Sequence, residues 1–328
     1  MKKYDVYGMG NALVDIEFSV NDDFLKDRGI EKGLMTLVDE ALQNDIMEHF
    51  KGNGGGKVAC GGSGANTVIG LSYFGGKGFY TCKVAGDEHG YFYMQDMHSA
   101  GVETNIEAVM KDGITGKCLV MVSEDAERTM NTFLGVSEVL TEDDLDLEAL
   151  SDSEYVYIEG YLVTSETNRK SAVRAYKEAK ARGVKVALTF SDPAMVKYFK
   201  DGIKEMVGEG VDLLFCNKEE AMLWTGCETV EDTAEKLKET AKNFCMTLGA
   251  EGALIYDGSE YIKIAPNPVK AVDTTGAGDL FAGAFLYGIT NGMTHKQAGD
   301  LASLASSKVV SRFGPRLTKE EHQQMLNK

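Results

Sequence analysis

Short apolar runs alternate along this chain with stretches of helical period. The runs are YDVYGMG (residues 4–10), FYTCKVA (79–85), EYVYIEGYLV (154–163), VKVALTF (184–190), VDLLFC (211–216) and FCMTLG (244–249). Amphipathic stretches such as TSETNRKSAVRAYKEAKARG stand between them, and GANTVIGLSYFG sets Val68, Leu71 and Phe74 at helical spacing. A run that is apolar on both sides of the pleat is a strand buried on both faces, and intervening helices are the crossovers of parallel strands. The pattern predicts an α/β fold: one domain over residues 1–328, with a mostly parallel central sheet covered by helices on both faces.

Two regions break the rhythm. ALVDIEFSV (12–20) and KCLVMVSEDAERTMNTFLG (117–135) are rich in β formers with no helix between, and SEDAER reads as a hairpin tip. They predict a small separate sheet, a lid, with strands drawn from about 12–39 and 106–135. The acidic stretch 138–154 reads as a solvated helix and turn. GNGGGK (52–57) reads as a loop.

Composition narrows the function. With 328 residues and 43% hydrophobic content, the chain can bury a substantial core. Its net charge of −17 argues against nucleic acid and against an anionic membrane surface, but not against a small phosphorylated ligand in a local positive pocket. The six cysteines form no Cys-x-x-Cys pair and are expected reduced and mostly buried; the five histidines show no zinc spacing. No apolar signal core follows the N-terminus and no run approaches a membrane span, so a cytoplasmic protein is expected.

The glycine motifs exclude two nucleotide sites. GNGGGKV is not a P-loop, because Lys51 stands where the first glycine belongs and Val58 where Ser or Thr would meet magnesium. No G-x-G-x-x-G follows the first strand. Gly276-Ala277-Gly278-Asp279 opens a long apolar run instead. Free N–H groups at a helix start make an anion site, and small residues let the anion approach. Asp279 would repel a phosphate that merely bound there. It makes sense as a base that takes a proton from an attacking hydroxyl, or as a residue favoured by the helix dipole. NKEE offers Asn217 and Glu220 on one helix face, either as a magnesium and phosphate motif or as a capping box. TLGAEG (Thr247, Gly249, Gly252) is a nucleotide-facing turn or a plain hairpin. GNALVD and GGSGAN offer Asn11, Asp15, Gly61, Gly62 and Asn66 to a polyol, or to turns and caps.

DTTGAGDLFAGAFL resembles the C-terminal signature of the PfkB carbohydrate kinase family, which has the ribokinase-like fold. GNALVD, GGSGAN, KVAGDEHG, NKEE and TLGAEG match further pieces in the expected order across nearly the whole chain. The ordered set is specific where single fragments are not. The resemblance implies a kinase using ATP and magnesium. It implies Asp279 as base, Gly276, Ala277 and Gly278 as anion hole, and Asn217 and Glu220 at magnesium (Glu220 through water). Thr247, Gly249 and Gly252 fall on the ATP side, and Asn11, Asp15, Gly61, Gly62 and Asn66 on the acceptor. Arg128 resembles a lid arginine that reaches the phosphates, and Asp273 and Thr275 sit where some members bind a monovalent cation such as K⁺. Val68 and Ala85 depart from the family pattern, where smaller residues are usual.

GNALVDI and NTFLG are similar to bacterial adenosine-kinase-like members, which points to a nucleoside acceptor phosphorylated on its 5′-hydroxyl. SDPAM (191–195) is less so and keeps a ribokinase or fructokinase type of acceptor open. Phe18, Phe133 and Tyr161 are candidates for lining a base. A non-catalytic sensor on the same fold, or a relative that cleaves a nucleoside, should tend to lose Asp279 or the ATP-side residues, all of which are present. A monomer or a homodimer fits the resemblance equally.

Overall fold

A computed structural model of the protein describes residues 2–33, 35–50, 57–106, 112–125 and 127–327. Fourteen strands are described: β1 (Tyr4–Met9), β2 (Leu13–Ser19), β3 (Met35–Leu37), β4 (Lys57–Gly61), β5 (Gly78–Thr81), β6 (Glu103–Thr104), β7 (Thr115–Val122), β8 (Arg128–Gly135), β9 (Ser153–Ile158), β10 (Lys185–Thr189), β11 (Val211–Asn217), β12 (Ala241–Thr247), β13 (Ala253–Tyr256) and β14 (Tyr261–Ile264). Nine form the main sheet, in the order β14-β13-β12-β11-β10-β9-β1-β5-β6. All its pairings are parallel from β6 to β12, and β13 and β14 close it antiparallel. This is the ribokinase-like α/β arrangement.

The apolar runs are explained by two-sided burial. Along β9, Tyr155 and Tyr157 join one core cluster, shared with helices Ser63–Phe74, Ala277–Thr290 and His295–Val310. Val156 and Ile158 join the other, with helices Glu166–Ala181 and Lys200–Val207. The run predicted through residue 163 stops as a strand at Ile158; Glu159 turns the chain into a 3₁₀ segment, Gly160–Thr164.

The second sheet has the order β3-β8-β7-β2-β4. The β7–β8 hairpin closes as expected, Ser123 N–H donating to Glu127 O at 3.0 Å. One expectation needs correction: the lid also takes β4, outside the predicted ranges, antiparallel to β2. Its few residues follow the glycine run read as a loop, of which residues 52–56 lie outside the described residues. The stretch 138–154 also differs. It forms two short 3₁₀ turns, a helix Leu147–Ser151 and the start of β9, and it buries Leu140, Leu145 and Leu150. Asp144 is buried too, ion-paired with the buried Lys83. All six cysteines are free, and only Cys227 is not buried.

Helices Ser63–Phe74 and Ala277–Thr290 pack closely on one face of the main sheet. A Cβ at Gly283 would overlap Thr67 O and lie 3.2 Å from Leu71 N. A backbone neighbour cannot rotate away. Gly283→Ala is therefore expected to lower the unfolding free energy by about 1–3 kcal/mol, as overpacking does; urea denaturation measures it, and an unchanged midpoint would show that the helices separate freely.

Candidate functional site

The C-terminal ends of the parallel strands gather polar residues at one edge of the main sheet, where open α/β sheets bind ligands. Gly10 and Asn11 follow β1, Glu159 follows β9, and Ser191 and Asp192 follow β10. Asn217 and Thr247 end β11 and β12 as register partners. Ser191 has φ 69° and is the only non-glycine residue in the left-handed region among the described residues. Its hydroxyl accepts the Gly160 N–H at 2.9 Å.

Asp279 lies in the first turn of helix Ala277–Thr290. Gly276 caps that helix at φ 77°, a conformation natural to glycine, and a Cβ there would strike the Pro315 backbone. Ala277 N–H turns back to Thr274 O at 3.2 Å. The donors that open the helix toward solvent are therefore those of Gly278 and Asp279. Nothing lies within 4 Å of a Cβ at Gly278, so an anion has room.

The start of helix Ser63–Phe74 meets the same carboxylate. Ser63 Oγ donates to Asp279 Oδ1 at 2.6 Å, and Asn66 Nδ2 donates to Oδ2 at 3.0 Å. Both bonds favour the ionised form, as does the nearby Arg316 guanidinium, yet burial outweighs them and pushes the Asp279 pKa up.

Asp15 projects from β2 against Gly61, where any Cβ would collide with its carboxylate. Burial pushes its pKa up to about 7, against the pull of Arg316 and Arg128; the charges of Asp279 and Glu17 add to the rise. Gly62, at φ 91°, passes so close to Asn11 O that a Cβ would not fit. Asn11 itself is only 2% exposed, and its Oδ1 accepts Asn168 Nδ2 at 3.0 Å. Its side-chain oxygen is thus engaged inside the protein.

Asn217 and Glu220 form a reciprocal capping box. Asn217 N–H donates to Glu220 Oε2 at 3.0 Å, and Glu220 N–H to Asn217 Oδ1 at 2.8 Å. The two residues read as a magnesium and phosphate motif are thus the cap of this helix. Glu220 is 4% exposed with no ion-pair partner among the described residues, and burial pushes its pKa up to about 7. A buried carboxylate in that state suits a divalent cation and its waters. No group of three or more His, Cys, Asp or Glu gathers to hold a metal among the described residues; magnesium held with phosphates needs only one or two carboxylates. Gly249 (φ 60°) and Gly252 (φ 92°) shape the β12–β13 turn, closed by Leu248 N–H donating to Gly252 O at 2.8 Å.

Arg128 reaches from the lid to the loop before Gly276. Its Nη2 donates to Glu17 Oε2 at 2.9 Å, and its Nη1 to Thr275 Oγ1 at 2.9 Å, with Asp273 Oδ2 at 3.0 Å. Asp273 also accepts N–H groups of Thr275 and Gly314. The side-chain oxygens expected to meet a monovalent cation thus already meet a fixed positive charge. Of the three aromatics, Phe18 is core, stacked on Phe50 at 4.3 Å, while Phe133 and Tyr161 are half-buried.

Three residues of the site were not singled out in the sequence. Ser63 lies inside a quoted motif. Glu159, 1% exposed, accepts the Asn11 N–H at 2.7 Å, and burial pushes its pKa up to about 8; its one signal is a charge interrupting an apolar run. Arg316 has no sequence signal beyond a lone cation in a Gly-Pro turn.

Known proteins resemble the chain over its full length. Residues 49–322 match the family described as pfkB family carbohydrate kinase. The structure of adenosine kinase from Sinorhizobium meliloti is similar at a TM-score of 0.89 and 33% identity, covering 99% of both chains. A probable sugar kinase from Rhizobium etli is similar at 0.90 and 32%, covering 100% of this chain and 99% of the other. Adenosine kinase of Saccharomyces cerevisiae is 26% identical, over 95% of this chain and 96% of its own. No described helix is long and apolar enough to cross a membrane.

The raised carboxyls set a pH dependence. Asp15, Glu159 and Glu220 hold protons in the folded state up to about pH 7–8 but release them near 3.8–4.5 when unfolded. The folded state binds more protons across that window, so stability falls as pH rises through it. The ligand-free melting temperature should decline from pH 5 to 8, roughly the span of these carboxyls, and less steeply in Asp15→Asn. Parallel declines in mutant and wild type would mean that Asp15 is already ionised.

Proposed function

This chain belongs to the pfkB family of carbohydrate kinases, phosphotransferases that act on an alcohol group, and we propose that its acceptor is the 5′-hydroxyl of adenosine or a close nucleoside, with ATP as donor. The observation that carries the reading is Asp279, oriented by Ser63 and Asn66 beside the open N–H groups of a helix start. The acceptor oxygen attacks phosphorus as its proton passes to Asp279. The Gly278 and Asp279 N–H groups and the helix dipole meet the charge on the transferring phosphoryl oxygens. Asp15, without a hydrogen-bond partner among the described residues, suits the vicinal hydroxyls of a ribose. Magnesium, held through water by Glu220 beside Asn217, would neutralise charge on the donor phosphates. The lid above would exclude water.

The nucleoside is supported by GNALVDI and by the likeness to adenosine kinases. A second reading, a free sugar, is favoured by SDPAM, whose Ser191 and Asp192 form the strained turn after β10. The two separate in an assay of ATP-dependent phosphorylation of adenosine, inosine, guanosine, ribose and fructose. Adenosine is expected to turn over fastest, and Asp279→Asn to cut turnover by about 10²–10⁴-fold while leaving acceptor binding nearly unchanged. Preference for ribose or fructose would overturn the nucleoside, and near-wild-type turnover in the mutant would remove Asp279 as base.

A further inference from the structure

Arg316 lies in the segment between the last long helix, His295–Val310, and the C-terminal helix, Lys319–Leu326. Its side chain is 18% exposed, and its guanidinium is held on three sides. Nε donates to Asn66 Oδ1 at 2.8 Å, Nη1 to Asp96 Oδ2 at 2.6 Å, and Nη2 to the Cys60 carbonyl. The acceptors come from helix Ser63–Phe74, helix Glu88–Ser99 and β4.

An asparagine amide has an accepting end and a donating end. The Arg316 Nε–H occupies the accepting end of Asn66. The donating end is thereby turned to Asp279. A flipped amide would set oxygen against the Asp279 carboxylate and NH₂ against the guanidinium, two repulsions at once. The same segment touches the anion-hole loop twice: Gly314 N–H donates to Asp273 Oδ2 at 2.9 Å, and the Pro315 backbone packs on Gly276.

We propose that Arg316 is a positioning residue for phosphoryl transfer, fixing the Asn66 amide so that Asp279 is held in one orientation with a positive charge one side chain away. The inference rests on the reading of Asp279 as base. The other titratable groups around Asp279 are Asp15 of β2, Tyr157 of β9, Glu159 and Tyr161. None of these is a cation; Arg316 is the positive charge that opposes burial there, alongside the Ser63 and Asn66 hydrogen bonds.

The test is a direct titration of the Asp279 carboxyl by ¹³C NMR, assigned with Asp279→Asn, in the full-length wild type, Arg316→Gln and Arg316→Lys. Kinetics run in parallel. Arg316→Gln should titrate at higher pH than wild type, and the acid limb of kcat/KM should move the same way. Its kcat should fall by about 10²-fold, the scale of a misplaced reacting group, with KM for ATP little changed. Arg316→Lys keeps the charge but not the fork; it should titrate near wild type yet still lose turnover. Added guanidinium ion should draw the Arg316→Gln titration back toward wild type, which a loss of packing would not. An Arg316→Gln protein with the wild-type titration and kcat overturns the proposal. If that variant does not fold, Arg316→Lys decides, and wild-type kcat in it is equally fatal. A wild type that phosphorylates none of the acceptors counts against the proposed function, while the NMR titration still tests the link from Arg316 to Asp279.

Discussion

Two helix starts share one carboxylate, and the rest of the site depends on that meeting. Helices Ser63–Phe74 and Ala277–Thr290 can bring their N-termini together only because glycine stands at the contact, Gly283 over Thr67. Both dipoles then point positive ends at Asp279, and Ser63 and Asn66 supply a donor to each oxygen. Burial works in the other direction. The carboxyl is thus poised between forces of opposite sign, oriented by hydrogen bonds and kept basic by its surroundings.

The sheet delivers the remaining groups. Parallel strands end together at one edge, so residues remote in sequence arrive as neighbours: Asn217 and Thr247 by register, Glu159 after β9, Asn11 after β1. The lid adds Asp15 and Arg128 from above, and it is continuous with the core, since Val14, Ile16, Phe18, Leu119 and Met121 join the cluster that holds Leu280 and Phe285.

Much of this was legible in the sequence because buried parallel strands are written as unbroken apolar runs. Helix-start glycines and Asp279 were legible because their spacing is local. What hid from view depended on distance or on paired charge. Strand β4 is short and follows a glycine run. The acidic stretch 138–154 looked solvated because a sequence does not show that Asp144 meets Lys83, 61 residues away, in the interior. Glu159 answers Asn11 across 148 residues, and Arg316 answers Asn66 across 250. No spacing rule reaches that far. The contact of the Asn11 amide oxygen with Asn168 was hidden in the same way, across 157 residues.

Arg128 ties two carboxylates that belong to different bodies, Glu17 on the lid and Asp273 on the loop before the anion hole. One guanidinium meets both. Were a phosphate to draw Arg128 to itself, as the proposed function would have it, Asp273, 4% exposed in its side chain, would lose this countercharge. On that reading anion binding and the latch would be in exchange for one charge, and by linkage each would weaken the other to the same degree. Arrival of the ligand would then also be a change of partner for the lid.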